Sequence, residues 1–295
     1  MPVHNFGGDW TTDKLERVRK YLVAYTTIFA RNPRAQKLTP IYVDAFAGTG
    51  YRSTPPRLDP QTPLFSELTE PEADAFLKGS ARIALEVDPP FKQYLFIERD
   101  AGHAGELEKL KSQFPEKAGV IRIVQQEANL YLKEWSARTD WQTCRAVMFL
   151  DPYGMQVDWS LIETVAGTQA IDLWLLFPLG VAVNRLLTRG ELPPAPWAEA
   201  LTRILGTDQW KEAFYPIRPE RTLFGEEKIR VKEADFDKIG RFFLNRLSTV
   251  FTKVAHNPLP LLNSRKVPLY LLCFAAGNPK GAPTAIRIAQ DILRG

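Results

Sequence analysis

Residues Ile41–Gly50 read IYVDAFAGTG, and this stretch runs from an apolar segment directly into a turn that contains two glycines. Its first three residues are β-branched or aromatic and follow a proline, which is typical of the start of a buried strand. Gly48 and Gly50 give the backbone the freedom to approach a ligand closely. Ligands of open α/β sheets bind outside the carboxyl ends of the strands, so the stretch predicts a nucleotide-like ligand at this turn.

The residue that closes this strand narrows the ligand class. Asp44 places a carboxylate just before the turn, which argues against a phosphate and for a cationic or hydroxyl-bearing ligand. S-adenosylmethionine fits, because it carries an ammonium and a sulfonium and has no phosphate. An ordinary strand-to-loop turn is the alternative, since a short glycine motif alone is weakly specific. The candidate cofactor contacts from this turn are Asp44, Phe46, Gly48, Thr49 and Gly50.

A second apolar run, Ala146–Gly154, reads AVMFLDPYG and also ends in an acid. Asp151, Pro152 and Tyr153 place a carboxylate, a carbonyl and an aromatic ring together at the end of a predicted strand. These are the parts that hold a planar amino group, which needs two acceptors for its hydrogens and a ring to stack on. The three residues are therefore the candidate catalytic set. The alternative is that Asp-Pro simply ends a strand.

A third acidic strand end follows the run Gln93–Asp100, which reads QYLFIERD. In a doubly wound sheet, an acid after the second strand is suited to hydrogen-bond the ribose hydroxyls of a nucleoside. Glu98 is predicted in this role, with Arg99 beside the adenine edge.

The predicted third strand, Gly119–Gln125, leads into a polar loop. Glu127, Ala128 and Asn129 in that loop are further cofactor candidates, because an adenine amino group would need a polar partner there. For Asn129 the alternative is that it caps a helix over residues 130–136.

The bulk composition is that of an ordinary globular protein. Of 295 residues, 45% are hydrophobic and 24% are charged. The net charge of +4 and the pI near 9.0 permit a nucleic-acid partner without requiring one. Two cysteines and three scattered histidines offer neither a disulfide framework nor a zinc cluster, so no metal site is predicted. No leader-like or membrane-spanning apolar run occurs, which predicts a cytoplasmic protein without a membrane partner.

The order of patterns predicts how the chain is divided. Strands and helices alternate up to residue 179, which indicates a parallel sheet, and an apolar run at 267–275 adds a late strand. Residues 1–179 and 263–295 are therefore predicted to form a Rossmann-like α/β domain. Residues 180–262 are predicted to be a mainly helical insertion that binds a substrate or partner. Basic residues alternate there with Trp197, Trp210 and Tyr215, as in a nucleic-acid surface, but acids are interspersed and a plain mixed surface is equally consistent.

These motifs together resemble the three-Cys-motif partner family of bacterial proteins, over most of the chain. The residues that carry the resemblance are FGGDWTTDKL at 6–15, YVDAFAGTG at 42–50, GSARIAL at 79–85, FIERD at 96–100, FLDPYG at 149–154, IDLWLLFPL at 171–179 and FAAGNPKG at 274–281. The resemblance implies a class I methyltransferase fold, with a mostly parallel seven-stranded sheet flanked by helices and an antiparallel last strand. It also implies binding of S-adenosylmethionine, methyl transfer, and a partner protein that bears three cysteines.

The resemblance leaves the substrate open. By similarity to amino-methyltransferases that act on adenine or cytosine, Asp151 and the Pro152 carbonyl would accept hydrogen bonds from an exocyclic amine, and Tyr153 would stack on the base. Those enzymes usually carry two prolines before the aromatic residue, whereas here the tyrosine comes one place earlier. N-methylation of a base in DNA or RNA is the first hypothesis. A non-catalytic partner protein and a small-molecule methyltransferase are the alternatives.

Overall fold

A computed structural model of the chain describes residues 9–45, 79–152, 154–222, 225–263 and 265–295. Side chains are described for these residues except 9–12 and 220–228. The first described element is a long helix, α1 (Asp9–Arg31). Its buried stripe contains Val18, Leu22 and Tyr25, and Lys14 lies on the same face one turn before Val18.

The first two thirds of the chain alternate strands with helices, as predicted. The elements are β1 (Thr39–Ala45), α2 (79–86), β2 (Gln93–Ile97), α3 (Ala101–Ser112), β3 (Ile121–Val124), α4 (Ala128–Arg138), β4 (Cys144–Leu150), α5 (Trp159–Gly167) and β5 (Ile171–Phe177). Strand β3 is shorter than its predicted range because Pro115–Val120 form a 3-10 turn that precedes it.

The rest of the chain is more varied than the predicted helical insertion. A π-helical turn (Leu179–Val183) leads into α6 (Asn184–Leu186), α7 (Ala195–Leu205), α8 (Trp210–Phe214), β6 (Ile217–Thr222), β7 (Gly225–Arg230), α9 (Phe236–Ser248), β8 (Lys253–Val254), β9 (Leu259–Leu262), β10 (Pro268–Ala276) and α10 (Ala282–Arg294). Strands β6 and β7 form an antiparallel pair outside the central sheet. Residues 180–262 therefore contain a two-stranded ribbon as well as helices.

The central sheet is mixed and mostly parallel. Its strands lie in the order β3-β2-β1-β4-β5-β10-β8, and β9 also pairs with β10. The first five strands of this order are parallel to their neighbours, whereas β10 is antiparallel to β5, β8 and β9. Within the described residues the sheet has eight strands, one more than the seven expected, because 253–262 contribute two short strands. The fold is α/β and compatible with a Rossmann-like architecture.

Helices cover both faces of this sheet. Helices α1, α2, α3 and α10 pack on one face, and α4, α5, α7, α8 and α9 pack on the other. Strand β5 is buried at every position, as expected for a sequence that is apolar except at Asp172. The division at residues 179/180 and 262/263 stays a prediction, but α7 to α9 share a hydrophobic core with β1, β4 and β5. In the part of the chain that is described, every helix is too short or too polar to cross a bilayer.

Candidate functional site

Three acidic residues meet where β2, β1 and β4 end side by side. The strand register pairs Ala45 at the end of β1 with Ile97 of β2 on one side and with Leu150 of β4 on the other. Asp44 precedes Ala45, while Glu98 and Asp151 directly follow their strands. Parallel pairing thus brings together three of the residues that the sequence nominated.

Asp44 is held inside the protein by hydroxyl groups. Its side chain is 1% exposed, and it accepts hydrogen bonds from Tyr42 Oη at 3.1 Å and from Ser80 at the start of α2. Tyr42 reaches it because residues two apart in a strand share a face. Burial, with a smaller contribution from nearby Asp151, raises the pKa of Asp44 to about 7, although the two hydroxyls and Lys14 act to lower it.

Asp151 forms a buried ion pair that the sequence did not predict. The Nζ atom of Lys14 lies 3.2 Å from Asp151 Oδ2 and 3.4 Å from Oδ1. The side chains are 2% and 10% exposed. Burial lowers the pKa of Lys14 and raises that of Asp151, and the attraction between the two opposes both effects.

A signal for Lys14 was present in the sequence. It stands four and eight residues before Val18 and Leu22, so it falls on the apolar stripe of α1. A lysine on such a stripe is either extended to the surface or paired inside. Tyr42 and Ser80 gave no comparable signal, because a strand tyrosine and a helix serine are common.

Glu98 carries the one unsatisfied acceptor among these three described carboxyls. The residue is 4% exposed, and its Oε1 atom accepts from the backbone N–H of Asp100 at 2.6 Å. Its Oε2 atom is buried and has no hydrogen-bond partner among the described residues. Burial raises the pKa of Glu98. An orphaned buried acceptor is costly unless a ligand or water satisfies it, so a ligand hydroxyl group fits here.

The two residues that follow Glu98 lie at the surface. Arg99 is exposed, and Asp100, which is also exposed, caps α3 by accepting hydrogen bonds from the backbone N–H groups of Gly102 and His103. The placement of Arg99 at an adenine edge stays a prediction.

Asn129 lies in the first turn of α4 and links the segment after β3 to the loop after β4. Its Nδ2 donates to Glu127 Oε1 at 2.8 Å and to the Gln156 carbonyl at 2.9 Å, and its Oδ1 accepts from Asp158 N at 2.9 Å. Glu127 caps α4, so the alternative that Asn129 is the cap is wrong. Two of these three hydrogen bonds, to Gln156 and Asp158, hold the loop that follows Asp151.

Several nominated residues lie outside the described part of the chain, namely Phe46, Gly48, Thr49, Gly50 and Tyr153. Pro152 is described and buried, and Ala128 is buried beside the cap of α4. Gly154 has φ +71°, a left-handed conformation that glycine adopts without strain, so the chain turns sharply after the acid.

Three carboxyl groups and one ammonium group are buried at this corner. Asp44, Glu98 and Asp151 contribute three carboxyl groups, and Lys14 is the buried ammonium beside them. No cluster of His, Cys, Asp and Glu in the described ranges could hold a metal ion.

Two of the three aromatic residues that suggested a nucleic-acid surface lie in the core. Trp210 and Tyr215 are fully buried beside α9, whereas Trp197 is half-buried. Among the basic residues, Arg218 pairs with Glu233 at 2.8 Å and Lys232 donates to the Leu187 carbonyl at 2.7 Å. The alternation seen in the sequence arose because buried aromatics and surface cations alternate along these elements.

Comparison with known proteins gave a distant likeness among solved structures. No family model matches the chain, and no curated protein matches it. Among solved structures, the chain is similar to the crystal structure of protein LPL1258 from Legionella pneumophila str. Philadelphia 1, assigned to family DUF519. The identity is 10%, the TM-score is 0.48, and the match covers 97% of this chain and 92% of the other.

Proposed function

We propose that this protein is an S-adenosylmethionine-dependent methyltransferase that modifies an exocyclic amino group of a nucleic-acid base. The observation that carries the proposal is the meeting of Asp44, Glu98 and Asp151 at adjacent strand ends, with Glu98 Oε2 buried and lacking a hydrogen-bond partner among the described residues. An acceptor of this kind at the end of the second strand suits a ribose hydroxyl.

Each acid has a distinct role in this proposal. Glu98 would hold the ribose, and Asp44 would supply negative charge behind the cationic end of the cofactor. When bound, S-adenosylmethionine supplies an electrophilic methyl group. Asp151 and the Pro152 carbonyl would accept hydrogen bonds from the two N–H groups of the substrate amine. The lone pair of its nitrogen would then be oriented for attack on the methyl group. Catalysis would then rest on positioning and electrostatics.

Two further points support the wider assignment. The antiparallel pairing of β10 with β5 agrees with the antiparallel last strand that the resemblance implies. The net charge of +4 is compatible with a polyanionic substrate, and DNA or RNA is the substrate class of this proposal. The partner in this proposal is a three-Cys-motif protein, which would complete the site or deliver the substrate.

The first test is cofactor binding measured by calorimetry. Wild-type protein and the Glu98→Gln variant would be titrated with S-adenosylmethionine, with Glu108→Gln on the exposed side of α3 as the matched control. Loss of a charged acceptor should weaken binding about tenfold or more. Glu108→Gln should bind as the wild type does, and absence of binding by the wild type would contradict the proposal.

The second test is transfer of a labelled methyl group to DNA and to RNA. The Asp151→Ala variant should keep cofactor binding and lose transfer, because the acid contacts the substrate amine in this scheme. Transfer at the wild-type rate by Asp151→Ala would refute the catalytic assignment. A steep fall of substrate affinity with salt should accompany phosphate contacts.

A non-catalytic binding role is the second candidate. The observation that favours it is the Lys14–Asp151 ion pair, in which Lys14 contacts both oxygens of the proposed catalytic acid. Cofactor binding without transfer to any nucleic acid, in the presence of the three-Cys partner, would support this role over catalysis.

A further inference from the structure

Lys14 reaches the candidate site from a helix that otherwise buries apolar side chains. It lies in the first turns of α1, with its Nζ atom 3.2 and 3.4 Å from the two carboxylate oxygens of Asp151. At 2% exposure it is almost completely removed from water. Burying a lysine is costly, so its retention here calls for a compensating partner, which Asp151 provides.

The start of α1 is fixed against the rest of the site. A Cβ atom on Gly79 would lie 2.8 Å from Leu15 Cδ1, so α2 packs closely on the residue next to Lys14. The following residue, Ser80, donates to Asp44. Helices α1 and α2 thus bring an ammonium and a hydroxyl to two neighbouring strand ends.

We propose that Lys14 is a positioning residue for the methyl transfer, and that it holds the Asp151 carboxylate in one orientation and keeps it ionised. This inference rests on the proposed function. Without a cation, burial would favour the protonated acid, which would offer fewer acceptors to a substrate amine. A carboxylate has about four lone-pair sites, so contact with Lys14 leaves acceptors for the amine hydrogens.

The competing explanation is structural. An ion pair between α1 and the end of β4 could simply fasten the helix to the sheet. Both explanations expect a loss of stability when Lys14 is replaced, because the partner carboxylate is left buried and unpaired. Both also expect the pKa of Asp151 to rise, because a neighbouring cation is lost. Only the positioning role expects the pH profile of transfer to move with that pKa.

The experiment compares Lys14→Met and Lys14→Arg with Lys20→Met, which removes an exposed lysine from the same helix. Carboxyl-carbon NMR follows the titration of Asp151, whose signal is identified by its absence in Asp151→Asn. In parallel, kcat/KM for methyl transfer and the affinity for S-adenosylmethionine are measured against pH. Lys14→Gln replaces Lys14→Met if the latter fails to fold.

In Lys14→Met, the titration midpoint of Asp151 should move to higher pH, and the acid limb of kcat/KM should move with it. Transfer should fall by about 100-fold at neutral pH while cofactor binding persists. Lys14→Arg should restore part of the activity, and Lys20→Met should match the wild type.

Two results would overturn the inference. An unchanged pH profile of kcat/KM in Lys14→Met, with thermal stability reduced and the Asp151 midpoint moved, would make the ion pair a structural fastening. A wild-type protein that transfers no methyl group, while Lys14→Met still shifts the Asp151 midpoint, would refute the methyltransferase proposal and with it the catalytic meaning of the pair. These two failures are distinguishable because the first requires methyl transfer by the wild type and the second its absence.

Discussion

Replacing Asp44 by asparagine should change how the stability of the protein depends on pH. Burial raises the pKa of Asp44 from its ordinary 3.8 to about 7. Between these pH values the folded state keeps the proton that the unfolded state has lost. The folded state then binds more protons, so its stability falls as the pH rises through this window.

The size of the effect follows from the same pKa difference. Each pH unit is worth about 1.4 kcal/mol, and the window spans about 3 pH units, so ionisation of Asp44 costs about 4 kcal/mol by pH 7. Asparagine cannot ionise and is free of this cost. The unfolding free energy of Asp44→Asn relative to the wild type should therefore rise by about 4 kcal/mol from pH 4 to pH 7 and stay level above it.

Urea unfolding at several pH values measures this difference directly. The control is Asp208→Asn, which removes an exposed carboxyl before α8 and leaves the buried corner intact. Subtraction of the wild-type curve removes the contributions of the other acids. A difference that stays flat across the window, or that falls with pH, would refute the assignment of a raised pKa to Asp44.

Three more substitutions test the packing around the site. Tyr21→Phe removes the 2.7 Å hydrogen bond to buried Asp172. It should lower the unfolding free energy in urea by about 1–3 kcal/mol and raise the pKa of Asp172. An unchanged unfolding free energy would contradict a contribution of this bond to stability. Gly206→Ala should cost about 2–4 kcal/mol, because φ is +68° and a Cβ would lie 2.0 Å from the Trp159 ring; wild-type stability would show that the turn repacks. Asn129→Ala should speed amide hydrogen exchange in 154–158, since it removes the bonds that join the two loops; unchanged exchange would mean that the loop is held by other contacts.

The sequence determined the alternation of strands and helices and the placement of three acids at strand ends. These follow from local patterns: apolar runs of strand length, and the polar residues that end them. The sequence also indicated an antiparallel late strand through the resemblance, and β10 is antiparallel to β5. Strand boundaries were less well predicted, as the 3-10 turn before β3 shows.

Only the tertiary structure decided which side chains meet. The pairing of Lys14 with Asp151 joins positions 137 residues apart, and no local pattern encodes a contact over that distance. The same holds for the burial of Trp210 and Tyr215, which in the sequence resembled a surface for stacking bases. Sequence periodicity records which face of an element is apolar, whereas burial and charge pairing depend on what the rest of the chain packs against that face.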